Sequence, residues 1–263
     1  MTLFSIITIS YQNLDGLRAT VESVAEQTFR DFEHIVVDGG SIDGTAEWLA
    51  QNFSGDWTSE PDDGRYDAMN KGADRAAGEY LWFLHSGDIF GDPTVLQRVA
   101  DAIRSAPGGP PQWLYGLARV VDPDGTLRGM IGFAPFTMFN FAILQRPLPH
   151  QATAIRTDLF RRLGGYDMRY PVAADQVLMM GAANVAPPLA LADFLCDFDS
   201  TGLSANRSWW QTWKDDYATL GYLDRPVTGS ARMDRTLTFA YSFARHLARS
   251  ARDRVTAARR TRS

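Results

Sequence analysis

Short apolar runs alternate with helical repeats along the first third of the chain. Residues 3–9 and 32–37 are runs rich in β-branched side chains, which predict buried strands. Each run is followed by apolar residues at helical spacing, and a third helix over 66–77 leads into a strand over 80–84. Strand and helix thus alternate three times, which predicts βαβ crossovers and a mostly parallel sheet in a protein of the α/β class.

The pattern is less regular in the second half of the chain. Residues 113–121 and 127–132 flank the turn sequence Asp-Pro-Asp-Gly and are expected to form a hairpin. Another helix is predicted to begin near Asp175. Beyond residue 208 the chain is predicted to be helical to its end.

Composition and charge exclude several classes of protein. The 263 residues are 45% hydrophobic and 22% charged, which excludes a disordered, collagenous or coiled-coil chain. A net charge of −5 argues against nucleic acid as a partner. The single cysteine, Cys196, excludes a disulfide framework and suits a reducing compartment. No signal peptide or membrane span is predicted, so we expect a cytoplasmic protein, at most attached peripherally to the inner face of the plasma membrane.

Positive charge is concentrated at the C-terminal end. Residues 241–263 contain seven arginines and one aspartate, while the whole chain is acidic. One side of the predicted helix is apolar, with Met233, Leu237, Ala240, Ala244, Leu247, Ala251 and Val255, and another carries Arg245, Arg249 and Arg252. Such a helix can lie on anionic lipid, with Trp209, Trp210 and Trp213 as further anchors. Its apolar side can equally pack on the domain, and both interpretations stay open.

Polar residues follow three of the predicted strands. Ser10 and Tyr11 follow the first, residues 38–41 the second and residues 86–88 the third. Ligands bind at the carboxyl ends of strands in an open parallel sheet, although the same residue types also populate ordinary turns. No Gly-x-Gly-x-x-Gly, phosphate-loop or Gly-x-Ser-x-Gly sequence is present, which disfavours a dinucleotide enzyme, an NTPase or an α/β-hydrolase.

Four ordered motifs resemble those of family 2 glycosyltransferases with the GT-A fold. They lie at residues 8–13, 37–45, 59–72 and 83–88. The set is similar to the branch that includes colanic-acid-type and other bacterial polysaccharide or glycolipid transferases. The resemblance covers residues 1–205 as a catalytic domain and leaves 206–263 as a basic helical extension. It implies transfer of a sugar from a UDP-, GDP- or dTDP-linked donor to a saccharide or lipid-linked acceptor.

The resemblance also implies roles for individual residues. Those implied to bind the donor are Thr8, Ser10, Tyr11, Asp38, Asp67, Asn70, Lys71, Ser86 and His150. Among them, Asp38 is similar to the residue that addresses the nucleobase. Asn70 and Lys71 are expected at the ribose or diphosphate, with Asp67 holding the sugar or orienting the lysine.

Two aspartates are implied to carry the chemistry. Asp88 is expected to bind Mg²⁺ or Mn²⁺, which would neutralise the leaving diphosphate, although the family's Asp-x-Asp is reduced here to Ser86-Gly87-Asp88. Asp175 follows a Gly-Gly-Tyr-Asp segment and is the expected base, which deprotonates the acceptor in an inverting displacement. As a residue at a helix start, Asp175 could instead be a cap.

Two other functions stay open at this point. A sugar nucleotidyltransferase shares the architecture, but its glycine-rich basic N-terminal signature is missing. The reduced metal triplet also allows a non-catalytic nucleotide-sugar-binding or scaffold protein at the membrane. Release of nucleoside diphosphate separates a transferase from such a scaffold.

Overall fold

The computed structural model describes residues 2–122, 124–170, 173–199 and 209–260. The strands are β1 (Phe4–Ser10), β2 (Phe32–Asp38), β3 (Asp56–Ser59), β4 (Tyr80–His85), β5 (Ile89–Phe90), β6 (Trp113–Val121), β7 (Leu127–Ile131), β8 (Thr153–Arg156) and β9 (Leu189–Asp199). The helices are α1 (Leu14–Ala25), α2 (Thr45–Asn52), α3 (Arg65–Arg75), α4 (Val95–Ser105), α5 (Thr157–Arg162), α6 (Ala174–Val185), α7 (Trp209–Thr219) and α8 (Ala231–Arg260). A π-helical turn at Phe139–Ile143 and 3₁₀ turns at His150–Ala152 and Leu220–Tyr222 complete the described elements.

The strands form one sheet in the order β3-β2-β1-β4-β8-β6-β9-β5, with β7 also paired to β6. β1 lies between β2 and β4 and runs parallel to both. The predicted hairpin is confirmed, since β6 and β7 pair antiparallel. The sheet and its crossover helices confirm the predicted α/β class.

Helices cover both faces of the sheet at β1, which explains why this strand is buried along its whole length. On one face, Phe4 packs with Trp82 and with Val99 of α4 in the main apolar cluster. On the other face α3 lies unusually close, because a Cβ atom on Gly72 would stand 2.4 Å from the Cγ2 methyl of Ile7. The glycine in the Asn-Lys-Gly sequence is therefore required by this helix–strand contact.

The structure differs from the sequence prediction at one strand that was not predicted and at one helix that was predicted as continuous. The long strand β9 was not predicted, because its apolar run continues the apolar pattern of α6 and only Pro187-Pro188 separates them. The C-terminal segment is not one continuous helix. α7 passes into the 3₁₀ turn, and α8 begins only at Ala231, after Pro226 and the left-handed Gly229 at φ +81°.

The chain divides into two compact units. Unit 1 comprises Met1–Phe136 and Pro147–Gly202, and unit 2 comprises Thr137–Arg146 and Leu203–Ser263. Residues 206–208 and 261–263 of the predicted extension lie outside what the structure describes, as do the side chains of Trp209, Arg249, Ala251, Arg252 and Val255. Within the described ranges, no helix combines the length and the apolar character that crossing a bilayer requires.

Candidate active site

The carboxyl ends of β1, β2 and β4 lie side by side and are joined by hydrogen bonds. The N–H of Gly39 donates to the carbonyl of Ser10 at 2.9 Å, and the N–H of Ser86 donates to that of Ile9 at 2.9 Å. The amide of Asn13 donates to the carbonyl of Ser86 at 3.0 Å. The three polar strand ends singled out in the sequence therefore form one edge in unit 1.

Asp38 holds this edge together. It is fully buried, and its carboxylate accepts from the N–H of Ser41 at 2.9 Å, from the Ser41 hydroxyl at 2.5 Å and from the Ser59 hydroxyl at 2.6 Å. Both oxygens are engaged, so in this structure Asp38 fixes the loop after β2 and the end of β3. Its contact with a nucleobase stays a prediction.

The residue after Asp38 is a glycine for a steric reason. A Cβ atom on Gly39 would lie 2.6 Å from the Oδ2 atom of Asp62 and 3.2 Å from the ring of Tyr11. Any side chain there would displace one of these two neighbours. The space beside the Gly39 backbone is thus already occupied by the carboxylate of Asp62.

The residues at the end of β1 differ in how they face this edge. Thr8 is buried, and its hydroxyl lies 2.9 Å from Nε2 of His34. Tyr11 is 67% exposed. Ser10 is buried, and its hydroxyl has no partner among the residues that the structure describes. Because buried hydroxyls normally have a partner, Ser10 is a candidate for contact with a bound ligand.

The polar residues of α3 have two different roles. Asp67 lies 3.0 Å from Nζ of Lys71, so it orients the lysine. A backbone hydrogen bond from Asp63 lowers the pKa of the Asp67 carboxyl, and the contact with Lys71 lowers it further. Asn70 instead binds backbone: its amide donates to the carbonyl of Tyr166, and its oxygen accepts from the N–H of Tyr166, both at 2.9 Å. The contacts place Asn70 as a link between α3 and the loop before α6.

Asp175 lies in the first turn of α6 among several hydrogen-bond donors. Its Oδ1 accepts from the hydroxyl of Tyr66 at 2.9 Å. Its Oδ2 lies 3.3 Å from Nδ1 of His150 and accepts from the amide of Gln176 at 3.1 Å. Burial raises the pKa of Asp175, but the contacts with His150, Gln176 and Tyr66 outweigh it and lower the pKa to about 2. The carboxylate is therefore ionised at neutral pH, and only 14% of its side chain is exposed.

Gln176 links the two segments of the chain that carry Asp175 and His150. Its amide donates to the carbonyl of Leu148 at 2.9 Å, and its oxygen accepts from the N–H of Leu148 at 3.3 Å. This pair of bonds joins the start of α6 to the loop that carries His150. The predicted residues Asp175 and His150 are thus brought together by a neighbour that the sequence did not single out.

His85 is the second residue that the sequence analysis missed as part of this cluster. Its Nε2 atom lies 3.2 Å from Nε2 of His150, and the two rings are 4.7 Å apart. Burial, with the neighbouring His150 second, holds the pKa of His85 well below its usual value. Tyr66, His150 and His85 come from distant parts of the chain, so no local motif could have indicated their contact.

Asp88 ends the loop after β4 and is almost completely buried. Its Oδ2 atom accepts from the N–H of His85 at 3.2 Å. The described residues contain no group of three His, Cys, Asp or Glu side chains that could hold a metal ion by itself. One carboxylate nevertheless fits Mg²⁺ or Mn²⁺ chemistry, because such ions are often held by one or two carboxylates, substrate phosphates and water.

Comparison with known proteins places this arrangement in context. Residues 5–109 match the family model Glycosyl transferase family 2. The chain is 42% identical over 206 residues to the uncharacterized glycosyltransferase Rv1514c of Mycobacterium tuberculosis, covering 77% of each chain. It is 34% identical over 179 residues, 66% of each chain, to the PGL/p-HBAD biosynthesis glycosyltransferase Rv2957 of the same species.

A solved structure supports the fold. The structure of S. aureus TarS 1–349 in complex with UDP superposes with a TM-score of 0.65 at 18% identity, over 91% of this chain and 70% of that one. At this identity the likeness concerns the fold alone, which is the GT-A fold predicted from the motifs.

Proposed function

The chain belongs to glycosyltransferase family 2 and is a transferase, and we propose that it is an inverting enzyme that moves one sugar from a nucleotide donor to a saccharide or lipid-linked acceptor. The observation that carries the proposal is the ionised carboxylate of Asp175, which Tyr66, His150 and Gln176 hold in one orientation.

The proposed reaction is a single displacement. As the acceptor oxygen attacks the anomeric carbon, its proton passes to Asp175, and the bond from that carbon to the diphosphate breaks. The attacking hydroxyl becomes strongly acidic as its new bond forms, so a weakly basic carboxylate can accept the proton in the transition state. No covalent intermediate with the enzyme is required, and the anomeric configuration is inverted.

The donor is proposed to bind at the edge formed by β1, β2 and β4. Ser10 and Tyr11 would contact the nucleoside over a loop that Asp38 keeps in place, and Lys71, oriented by Asp67, would approach the diphosphate. Enzymes of this family commonly use a divalent cation; Asp88 would hold it here, and it would supply positive charge to the leaving diphosphate.

The substrate class is proposed from the relatives. Rv2957 is named for PGL/p-HBAD biosynthesis, and TarS was solved with UDP. These names support a polysaccharide or glycolipid pathway and a nucleotide-linked donor. The colanic-acid-type branch, and a donor linked to UDP, GDP or dTDP, are proposed from the motif resemblance. A catalytic domain over residues 1–205, a helical extension over 206–263 and a cytoplasmic location at the membrane are part of the same proposal.

The proposal is tested by measuring thermal stability with UDP, GDP and dTDP, each with and without Mn²⁺, and then nucleoside-diphosphate release from the matching sugar donor. A ligand at a hundredfold excess over its Kd stabilises by about 2.7 kcal/mol. For a domain of this size the midpoint should rise by roughly 5–10 °C. Binding of a donor without release of nucleoside diphosphate, in the presence of candidate acceptors, would instead support the scaffold alternative.

A further inference from the structure

Helix α8 in unit 2 turns polar residues inward and apolar residues outward. Asp234 is buried, whereas Met233 and Leu247 are each 53% exposed, and Phe239 and Phe243 are each 42% exposed. These four apolar residues recur at helical spacing along one side of α8, which we call the outer face. An amphipathic helix of a soluble domain normally has the opposite orientation.

The burial of Asp234 is explained by its hydrogen bonds at the start of α8. Its carboxylate accepts from the N–H of Val227 at 2.7 Å, and from the N–H and the hydroxyl of Thr228 at 3.0 Å and 2.6 Å. These bonds satisfy the segment that leads into α8. The bonds therefore cap the first turn of α8 and hold the preceding segment to it.

The exposed apolar surface continues onto α7 as a row of aromatic rings. Trp210, itself 46% exposed, stacks on Trp213 with ring centres 4.8 Å apart. Trp213 meets Phe239 edge to face at 5.6 Å, and Phe239 stacks with Phe243 at 6.1 Å. Tryptophan and other aromatic rings are enriched where an apolar medium meets water, as at the surface of a bilayer.

Positive charge is concentrated in the same helix. Residues 231–260 contain eight arginines and two aspartates, a net charge of +6, although the chain as a whole carries −5. Arg232, Arg235 and Arg245 are exposed on the same helix. A second copy of the chain is a poor occupant of the outer face, because two α8 helices would bring these like charges together.

We propose that the outer face of α8, extended by Trp210, docks on an anionic lipid bilayer with α8 lying in the headgroup region. The apolar side chains enter the acyl boundary, and the net positive charge of the helix attracts the anionic headgroups. Each basic residue near such a surface strengthens binding about fivefold. The inference rests on unit 2 alone and does not depend on the proposed reaction.

The test is co-sedimentation of the full chain with vesicles of phosphatidylcholine alone or mixed with phosphatidylglycerol. We expect strong binding to the mixed vesicles only. This binding should weaken when salt rises from about 0.1 M to about 1 M, since the screening length falls from about 10 Å to about 3 Å. The double variant Phe243→Gln and Leu247→Gln should bind the mixed vesicles at least about tenfold more weakly, because its apolar contact is removed.

The matched control is Leu127→Gln with Met130→Gln, two side chains of unit 1 that are 61% and 57% exposed. The control should bind like the wild type, and both variants should keep the wild-type thermal shift with nucleotide. Failure of the wild type to bind the mixed vesicles, or equal binding by both double variants, would overturn the proposal. So would a wild-type dimer in solution that only the α8 variant dissociates, because a second copy would then cover the outer face.

Discussion

The ionised state of the Asp175 carboxylate depends on the single side chains that donate hydrogen bonds to it. Tyr66→Phe removes a hydrogen bond to a buried ionised group, which should cost about 1.5–3 kcal/mol of unfolding free energy and raise the pKa of Asp175. Urea denaturation measures the loss, and kcat should fall with it. Tyr80→Phe is the matched control, since its hydroxyl donates to the neutral carbonyl of Pro111. The control should lose less stability and no kcat; equal effects in the two variants would mean that Tyr66 is only a packing residue.

Asp38 gives a second prediction at this scale. In Asp38→Asn the amide nitrogen cannot accept a hydrogen bond, so at least one of the three donors loses its acceptor. We expect a loss of about 2–3 kcal/mol and weaker nucleotide binding, because the loop after β2 is released.

Ser59→Ala is the comparison for Asp38→Asn, because it removes a single donor from the same carboxylate. It should cost about 1.5 kcal/mol, the lower end of the range for a hydrogen bond to a charged group, because Ser41 still donates two hydrogen bonds to the carboxylate. Chemical denaturation and nucleotide thermal shifts of both variants are the measurement. An Asp38→Asn protein of wild-type stability with no nucleotide binding would restore the direct nucleobase contact that the sequence predicts.

At the scale of elements, the contact between α3 and β1 leaves no room for a side chain at Gly72. Gly72→Ala places a methyl group against Ile7 and should destabilise by about 1–3 kcal/mol, even though alanine is the better helix former. Gly129→Ala on β7 is the control, since a Cβ there meets nothing within 4 Å. Its stability should change by less than about 0.5 kcal/mol. A neutral or stabilising Gly72→Ala would show that α3 moves away from the sheet easily.

The imidazole of His34 on β2 predicts that the stability of the protein depends on pH. His34 on β2 packs edge to face on Phe53 at 5.1 Å, and burial lowers its pKa from 6.5 to about 3. The unfolded chain therefore binds a proton below about pH 6.5 that the folded chain does not. The stabilisation is complete above that pH and is lost as the pH falls towards 3, by about 2 kcal/mol between pH 7 and pH 5.

His34→Gln keeps a polar partner for Thr8 but removes the titrating group. Its unfolding free energy should fall less between pH 7 and pH 5 than that of the wild type, when both are measured by urea denaturation. Parallel losses in the two proteins would assign the acid sensitivity to other groups.

Across the whole molecule, the features that could be predicted from the sequence are those set by the local pattern of apolar and polar residues. The α/β class, the parallel strands around β1 and the α3 segment follow from apolar periodicity, and the strand ends indicated one edge of the sheet. Contacts between distant residues could not be predicted in this way. Ser59 reaches Asp38 across 21 residues, and His85 reaches His150 across 65. Periodicity also defined an apolar side of α8 but did not show that Met233 and Leu247 on that side are exposed.

If Asp175 accepts the proton of the acceptor, its replacement must slow the release of nucleoside diphosphate. Nucleoside-diphosphate release at saturating donor is measured for Asp175→Asn and for Asp167→Asn, a turn aspartate paired with Arg169. We predict a fall in kcat of about 10²–10⁴-fold for Asp175→Asn, with an unchanged thermal shift on nucleotide binding, and little effect for Asp167→Asn. Release by Asp175→Asn at a rate close to the wild type would contradict the account.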